Sequence, residues 1–418
     1  MLCRNRDRVL NHIDAVSDRL ALICELRKDK SNIDILKRHF MGEISTEDAI
    51  VFLQNIDELM LREFPKRHLI EFHPCDACNL RCNGCTYSPD VRLKPEKGSF
   101  PFQHLSKICS LIQPDAITIA GGGEPALYKS GKYRLGDLIC ALGSGELECS
   151  PAIGLITNGT VWPRGNQDWH NYTDWVRYSL DSSSKQSYIE GKGRDCFDKV
   201  AGNIIKALSE TDIPQVGVGF VYHPGNIAGA GNIISYFAKI IKQICPDELH
   251  RFNIQFRPWR PPTGAPGITE QIISSKDVDM ASRILFDNID QDKSLERFIK
   301  ENTNIAVNLL CRGAREIVYP FSECYFGLAK TVIRADGSLY PCFRKAAGKD
   351  LQFYYGNIIT DNYQKIALRE LYVLASSARK ICAFDHDKCL LCLFNNILEK
   401  AIVDGTRPAP DAVGDYFF

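Results

Sequence analysis

Residues 68–85 read HLIEFHPCDACNLRCNGC. The first six positions have the composition of a short strand, with Leu69, Ile70 and Phe72 as its apolar residues. The loop that follows carries Cys75, Cys78, Cys82 and Cys85 among Asp, Asn, Arg and Gly. Cysteine is usually a small buried hydrophobe, so thiols this close together in polar surroundings are placed to be reached. A strand running into a ligand-bearing loop is the repeating unit of parallel α/β folds, whose chemistry sits in loops after the strand C-termini.

The chain downstream repeats that unit. DAITIA (115–120), AIGLIT (152–157), WVRYSL (175–180), QVGVGFVY (215–222) and FNIQFRP (252–258) are short and rich in Ile, Val, Phe or Tyr. Helical stretches such as FQHLSKICSLI (102–112) and FDKVAGNIIKALSE (197–210) lie between them. Strand–helix alternation implies parallel strands joined by right-handed crossovers. The six strands predict an α/β fold, an open, partial (β/α)6 TIM-like barrel over 66–262.

Residues 1–65 read as an N-terminal helical region. In STEDAIVFLQNIDELMLREF (45–64), Ser45 with Asp48 starts a helix whose apolar positions run from Ala49 to Phe64, and Pro65 ends it. This region has no strand pattern, which argues against a winged-helix peptide-recognition domain. A Pro/Gly-rich break at 257–267 opens a connector over 263–315. The segment 316–418 differs in texture: AKTVIRADGSLYPCF (329–343) predicts a β-hairpin turning at Asp336-Gly337, followed by a helix near 362–378. The cysteine-rich ICAFDHDKCLLCLFNNILEKAI (381–402) comes last.

Acidic and basic residues balance at 51 each in 418, which argues against a broad nucleic-acid surface. MLCRNRDRVLNHIDAV, at the N-terminus, has no apolar run of signal-peptide length, and no segment approaches the roughly 20 apolar residues of a membrane span. The expected location is cytoplasmic, where 17 cysteines are not a disulfide framework. Eight of them (Cys3, Cys24, Cys109, Cys140, Cys149, Cys196, Cys245 and Cys311) are scattered and read as core or surface residues.

Thiolates bind zinc or iron–sulfur clusters. From the first loop alone, a four-cysteine zinc site, C-x2-C-x3-C-x2-C, stays open, as does a fully ligated cluster. Three later motifs bear on the choice. The second strand runs into AGGGEP (120–125), whose glycines admit close backbone approach and whose Glu124 can accept from an ammonium group. The third strand ends in TNG (157–159) and the fourth in RYSLD (177–181). There, strand alternation would put Ser179 and Asp181 on one side.

Taken in order on successive strands, these motifs resemble the radical S-adenosylmethionine (SAM) superfamily. The resemblance implies that Cys78, Cys82 and Cys85 hold three irons of a 4Fe–4S cluster whose fourth iron is open to SAM, with Cys75 not a ligand. It further implies SAM contacts from Gly121, Gly122, Gly123 and Glu124, from Asn158, and from Ser179 and Asp181 at the ribose. The family often has an aromatic just before the third cysteine. This chain has Gly84 there, and Tyr87 is the expected replacement beside the adenine.

Cys324 and Cys342 flank the hairpin, and Cys389 and Cys392 form a later CxxC. A zinc ribbon fits that pattern. After a radical-SAM core it resembles the twitch domain, the shortened form of the SPASM extension. That resemblance implies one auxiliary 4Fe–4S cluster on Cys324, Cys342, Cys389 and Cys392, with Cys382 as a substitute ligand. The resemblance implies reductive cleavage of SAM, hydrogen abstraction and net two-electron oxidation of a small polar or sugar-like substrate, as in the 2-deoxy-scyllo-inosamine dehydrogenase family. An external donor such as flavodoxin or ferredoxin would supply the electron. A maturase acting on a ribosomal peptide, an RNA-modifying radical-SAM enzyme and a non-catalytic zinc or iron–sulfur scaffold are the alternatives. Expected substrate contacts follow strands five and six: Tyr222, His223, Arg257, Trp259 and Arg260.

Overall fold

The structure is a computed structural model that describes residues 16–53, 56–67, 69–83, 85, 87, 98–222, 226, 229–258 and 324–376. Its centre is a nine-stranded sheet. In chain order the strands are β1 (Leu69–Phe72), β2 (Ala116–Ile119), β5 (Ala152–Thr157), β6 (Trp175–Ser179), β7 (Gln215–Tyr222), β8 (Phe252–Pro258), β9 (Lys330–Ile333), β10 (Ser338–Tyr340) and β11 (Gly356–Asn357). A separate two-residue ribbon pairs β3 (Lys129–Ser130) with β4 (Tyr133–Arg134). The strand order is β11–β10–β9–β1–β2–β5–β6–β7–β8.

All six sequence-predicted barrel strands form, and each is parallel to its neighbour. The pleat explains which residues are apolar. Ile70, Phe72, Ile117, Ile119, Ile153, Leu155, Val176, Tyr178, Val218, Phe220, Ile254 and Phe256 share the helix-facing side and are buried. Each such side chain contributes about 1.5–3 kcal/mol of burial free energy. The helices Leu105–Ile112 and Phe197–Glu210 supply matching apolar stripes, among them Ile108, Ile112, Val200, Ile204 and Leu208. The register leaves Glu71, Gly154, Trp175, Arg177, Ser179, Gly217, Asn253 and Gln255 on the opposite, barrel-facing side.

The hairpin turns as the sequence implies. Gly337 has φ +84°, and the Arg334 and Gly337 amides close the turn onto the Ser338 and Arg334 carbonyls. Its placement has no counterpart in the sequence reading: β9 pairs in parallel with β1, so the hairpin extends the barrel sheet. The following helix, Tyr363–Ala375, is capped by Asn362. It packs on the N-terminal helices, with Phe40 against Tyr372 (4.7 Å between ring centroids) and a buried Arg67–Glu370 ion pair.

Two expectations need correction. The segment 45–64 is not one helix: it forms Thr46–Phe52 and Glu58–Glu63. Ser45 caps the first, as expected. Leu53 then turns extended, and Asp57 caps the second by accepting from Met60 N (2.8 Å), the competing role short polar side chains take. Among the scattered cysteines, Cys109 and Cys149 form a disulfide. A helix and the loop before β5 bring their Cα atoms to 5.4 Å, which spacing along the chain does not reveal. Among the described residues no strand occurs before β1, and no helix is long and apolar enough to cross a membrane. The expected connector and the segment 377–418 lie outside the described residues.

Candidate active site

The cysteine loop leaves the C-terminal end of β1 and is fastened on two sides. Arg81 N and Asn83 N donate to the Lys192 and Gly191 carbonyls (3.1 and 2.8 Å) at the end of helix Lys185–Lys192. On the other side, Gly123 N donates to Cys75 O (2.9 Å) and Glu124 N to Ala77 O (2.7 Å). Cys78, Cys82 and Cys85 are half-buried, whereas Cys75 is 1% exposed. Burial pushes the Cys75 thiol up to about 11, and its sulfur turns to the Ala77 carbonyl. Burial also raises Cys78, and the neighbouring Cys82 and Cys85 add to the effect. Among the described residues no three Cys, His, Asp or Glu side chains gather around one ion position.

The glycine turn fits a backbone ligand site. A Cβ at Gly121 would lie 1.7 Å from Gly123 O, one at Gly122 2.5 Å from Asp76 Oδ1, and one at Gly123 2.1 Å from Ala77 O. Only glycine permits that contact between turn and cysteine loop. Glu124 is buried and bridges two strand ends: Oε1 accepts from Thr157 Oγ1 (2.5 Å) and Ala126 N (3.0 Å), and Oε2 from Asn158 N (2.7 Å). Burial raises its pKa, and these bonds only partly offset that. Among the described residues no cation pairs with it. A carboxylate has about four acceptor positions, and three are used by these bonds. Asn158 Nδ2 donates to Asn79 Oδ1 (2.9 Å) and lies 4.0 Å from Cys78 Sγ. Asn79 in turn donates to Thr160 Oγ1 (2.7 Å). Loops after β1, β2 and β5 thus form one hydrogen-bonded unit. Asn79 and Thr160 escape sequence reading because polar loop residues follow no period.

Ser179 ends β6 on the barrel side, half-buried, and makes no side-chain hydrogen bond among the described residues. Asp181 does not continue the alternation. Its φ is +54°, and its carboxylate is committed to Lys192 and to Val221 N (2.6 Å). Tyr87 is buried and hydrogen-bonds His73 Nδ1 (2.9 Å), which places it beside the glycine turn, 3.6 Å from a Cβ built at Gly122.

The expected substrate contacts fare differently. Tyr222 is fully buried on the helix-facing side with Val218 and Phe220, so it does not line the barrel. The backbone of Arg257 pairs with Val221 in β8, which puts that position in register with the barrel side. His223, Trp259 and Arg260 lie outside the described residues. The barrel-facing side instead presents Arg177, whose Nη1 donates to Gln255 Oε1 (2.5 Å) and whose guanidinium lies 5.7 Å from the Trp175 ring. Gly154 and Gly217 make room for Trp175 and Asn253, since a Cβ would meet them at 1.9 and 2.4 Å. Reading WVRYSL and FNIQFRP by strict alternation finds this set.

At the far edge of the sheet, Cys324 and Cys342 line one apolar cavity with Phe326, Phe353, Tyr355 and Leu374. Burial pushes Cys342 up to about 11, although the Lys345 and Arg344 amides bond its sulfur. Cys382, Cys389 and Cys392 lie outside the described residues.

This architecture occurs in solved structures. Streptococcus suis SuiB bound to precursor peptide SuiA is similar with a TM-score of 0.50 at 14% identity, over 74% of this chain and 66% of that one. A tagged form of anSMEcpe with bound AdoMet is similar with a TM-score of 0.50 at 18% identity, over 79% of this chain and 84% of that one. No protein-family model and no curated protein matches the sequence. The chain has the fold of the radical SAM enzymes, a partial barrel with a mixed extension on β1.

Proposed function

We propose that the protein is a radical SAM enzyme. The observation that carries this reading is the union of three loops at one end of the barrel. The loop of Cys78, Cys82 and Cys85 is hydrogen-bonded both to the Gly121–Glu124 turn and to Asn158. When bound, a reduced 4Fe–4S cluster with an open iron supplies the electron that cleaves SAM to methionine and a 5′-deoxyadenosyl radical, which takes a hydrogen atom from substrate.

The chain's own residues hold and orient. Cys78, Cys82 and Cys85 are the ligands; Cys75 is structural. Glu124 Oε2 accepts from the methionine ammonium over the Gly121–Gly123 backbone. Asn158 orders the loop beside Cys78. Ser179 would bond the ribose, Asp181 holds Lys192 in an ion pair at the same barrel end, and Tyr87 would pack toward the adenine. Arg177, braced by Gln255, faces the substrate and would bind a polar or anionic group. Cys324 and Cys342, with Cys389 and Cys392, would hold an auxiliary 4Fe–4S cluster, which would supply an acceptor for the electron left on the substrate after hydrogen abstraction, making a net two-electron oxidation. Flavodoxin or ferredoxin is the expected source of the separate electron that cleaves SAM. A small polar substrate suits the barrel-facing Arg177, Gln255 and Asn253. A peptide substrate is the second reading, supported by the likeness in fold to SuiB in its peptide-bound form.

The test is anaerobic reconstitution, reduction with dithionite and chromatography of the SAM products. 5′-Deoxyadenosine is expected from the wild type and from Cys75→Ala, and none from Cys78→Ala. Wild-type yields from Cys78→Ala would refute the ligand assignment.

A further inference from the structure

We propose that Lys330 and Arg334, on the C-terminal hairpin, are positioning residues for SAM binding at the first cysteine loop. This rests on the reading of that loop as the SAM-cluster site. The two basic side chains cross the seam where β9 lies parallel to β1 with Val332 opposite Glu71.

Lys330 pairs with Glu71 Oε2 (2.5 Å). Glu71 Oε1 lies 2.8 Å from His73 Nε2, and His73 Nδ1 2.9 Å from the Tyr87 hydroxyl. The Tyr87 ring stands against Gly122. Arg334 takes a second route: wholly buried, it faces Asp76 Oδ2 at 3.5 Å, and Asp76 Oδ1 also abuts Gly122. Both routes start on the hairpin and end at the same glycine.

Arg334 Nη1 also donates to the Ala346 carbonyl of the helix after the hairpin, but burying these charges is not by itself stabilising. A buried ion pair is often replaced by apolar side chains at no loss. Among the described residues, Arg334 Nε and Asp76 Oδ1 are moreover buried without a hydrogen-bond partner, an arrangement that costs stability. What the routes do provide is a fixed position for Gly122 and its loop, set from about 210 residues downstream. Neither Lys330 nor Arg334 touches SAM in this account.

The experiment uses the anaerobically reconstituted full chain as wild type, Lys330→Met, Arg334→Met, Arg334→Lys and the double variant Asp76→Asn/Arg334→Met. The double variant leaves no lone buried charge, so it folds where Arg334→Met alone fails. Iron per chain is counted, and SAM is titrated against the EPR spectrum of the dithionite-reduced protein. The expected result is wild-type iron with a SAM dissociation constant raised at least about tenfold in the Lys330→Met, Arg334→Met and double variants. Partial recovery is expected in Arg334→Lys. SAM affinity within about twofold of wild type in the iron-loaded variants overturns the proposal, as does iron loss with wild-type affinity in the folded remainder. A wild type that holds no iron, or whose spectrum ignores SAM, refutes the underlying reading instead.

Discussion

Glu124 is 2% exposed, accepts three hydrogen bonds and has no cation beside it among the described residues. Glu124→Gln puts an amide NH2 where an oxygen accepted, so whichever way the amide turns, it faces a backbone donor, Asn158 N or Ala126 N. The expected cost is about 1–3 kcal/mol of stability. A SAM affinity lowered at least about tenfold should accompany it, since the ammonium loses its charged acceptor. Equilibrium dialysis checks the affinity and thermal melts the stability; unchanged SAM binding would remove Glu124 from the site. At this scale legibility is uneven. Gly121, Gly122 and Gly123 are readable because a backbone contact that excludes Cβ leaves its mark in composition. Asp181 reads wrongly as continuing a strand because its positive φ has no trace in RYSLD. Tyr222 attracts notice for its place after a strand, although its even spacing from Val218 and Phe220 already puts it on the core side.

The six barrel strands can be seen because each is short and rich in buried apolar residues, bounded by polar loops. The helix 45–64 is overextended in sequence because apolar spacing continues through the Leu53–Asp57 break, and only the capping preference of Asp57 marks it. The docking of the N-terminal helices on Tyr363–Ala375 leaves no local pattern at all. That contact carries a pH prediction. Burial, then the Arg369 and Lys365 charges, push His39 down to about 4, so it is neutral in the fold. An unfolded histidine titrates near 6.5. As pH falls from about 6.5 to about 4, the unfolded chain gains a proton that the folded chain refuses. Stability therefore drops by up to about 1.4 kcal/mol per pH unit across that window. Melting curves at pH 7 and pH 5 should show a larger loss for the wild type than for His39→Gln. Equal losses would mean that His39 is protonated in the fold.

For the whole molecule, strand–helix alternation is enough to predict a partial barrel, because every crossover is local. The pairing of β9 with β1 is not predictable that way, because it joins residues about 260 positions apart and depends on an otherwise open sheet edge. That edge brings the hairpin flanked by Cys324 and Cys342 onto the same sheet as the first loop. Two clusters are accordingly expected in one chain. The direct measurement is iron per chain after anaerobic reconstitution, in the wild type and in variants with Cys78, Cys82 and Cys85, or Cys324 and Cys342, changed to Ala. About eight irons falling to about four in each variant is the expected result, with SAM cleavage lost only in the first. Wild-type iron in the Cys78, Cys82 and Cys85 variant, or none in the wild type, would contradict the central claim.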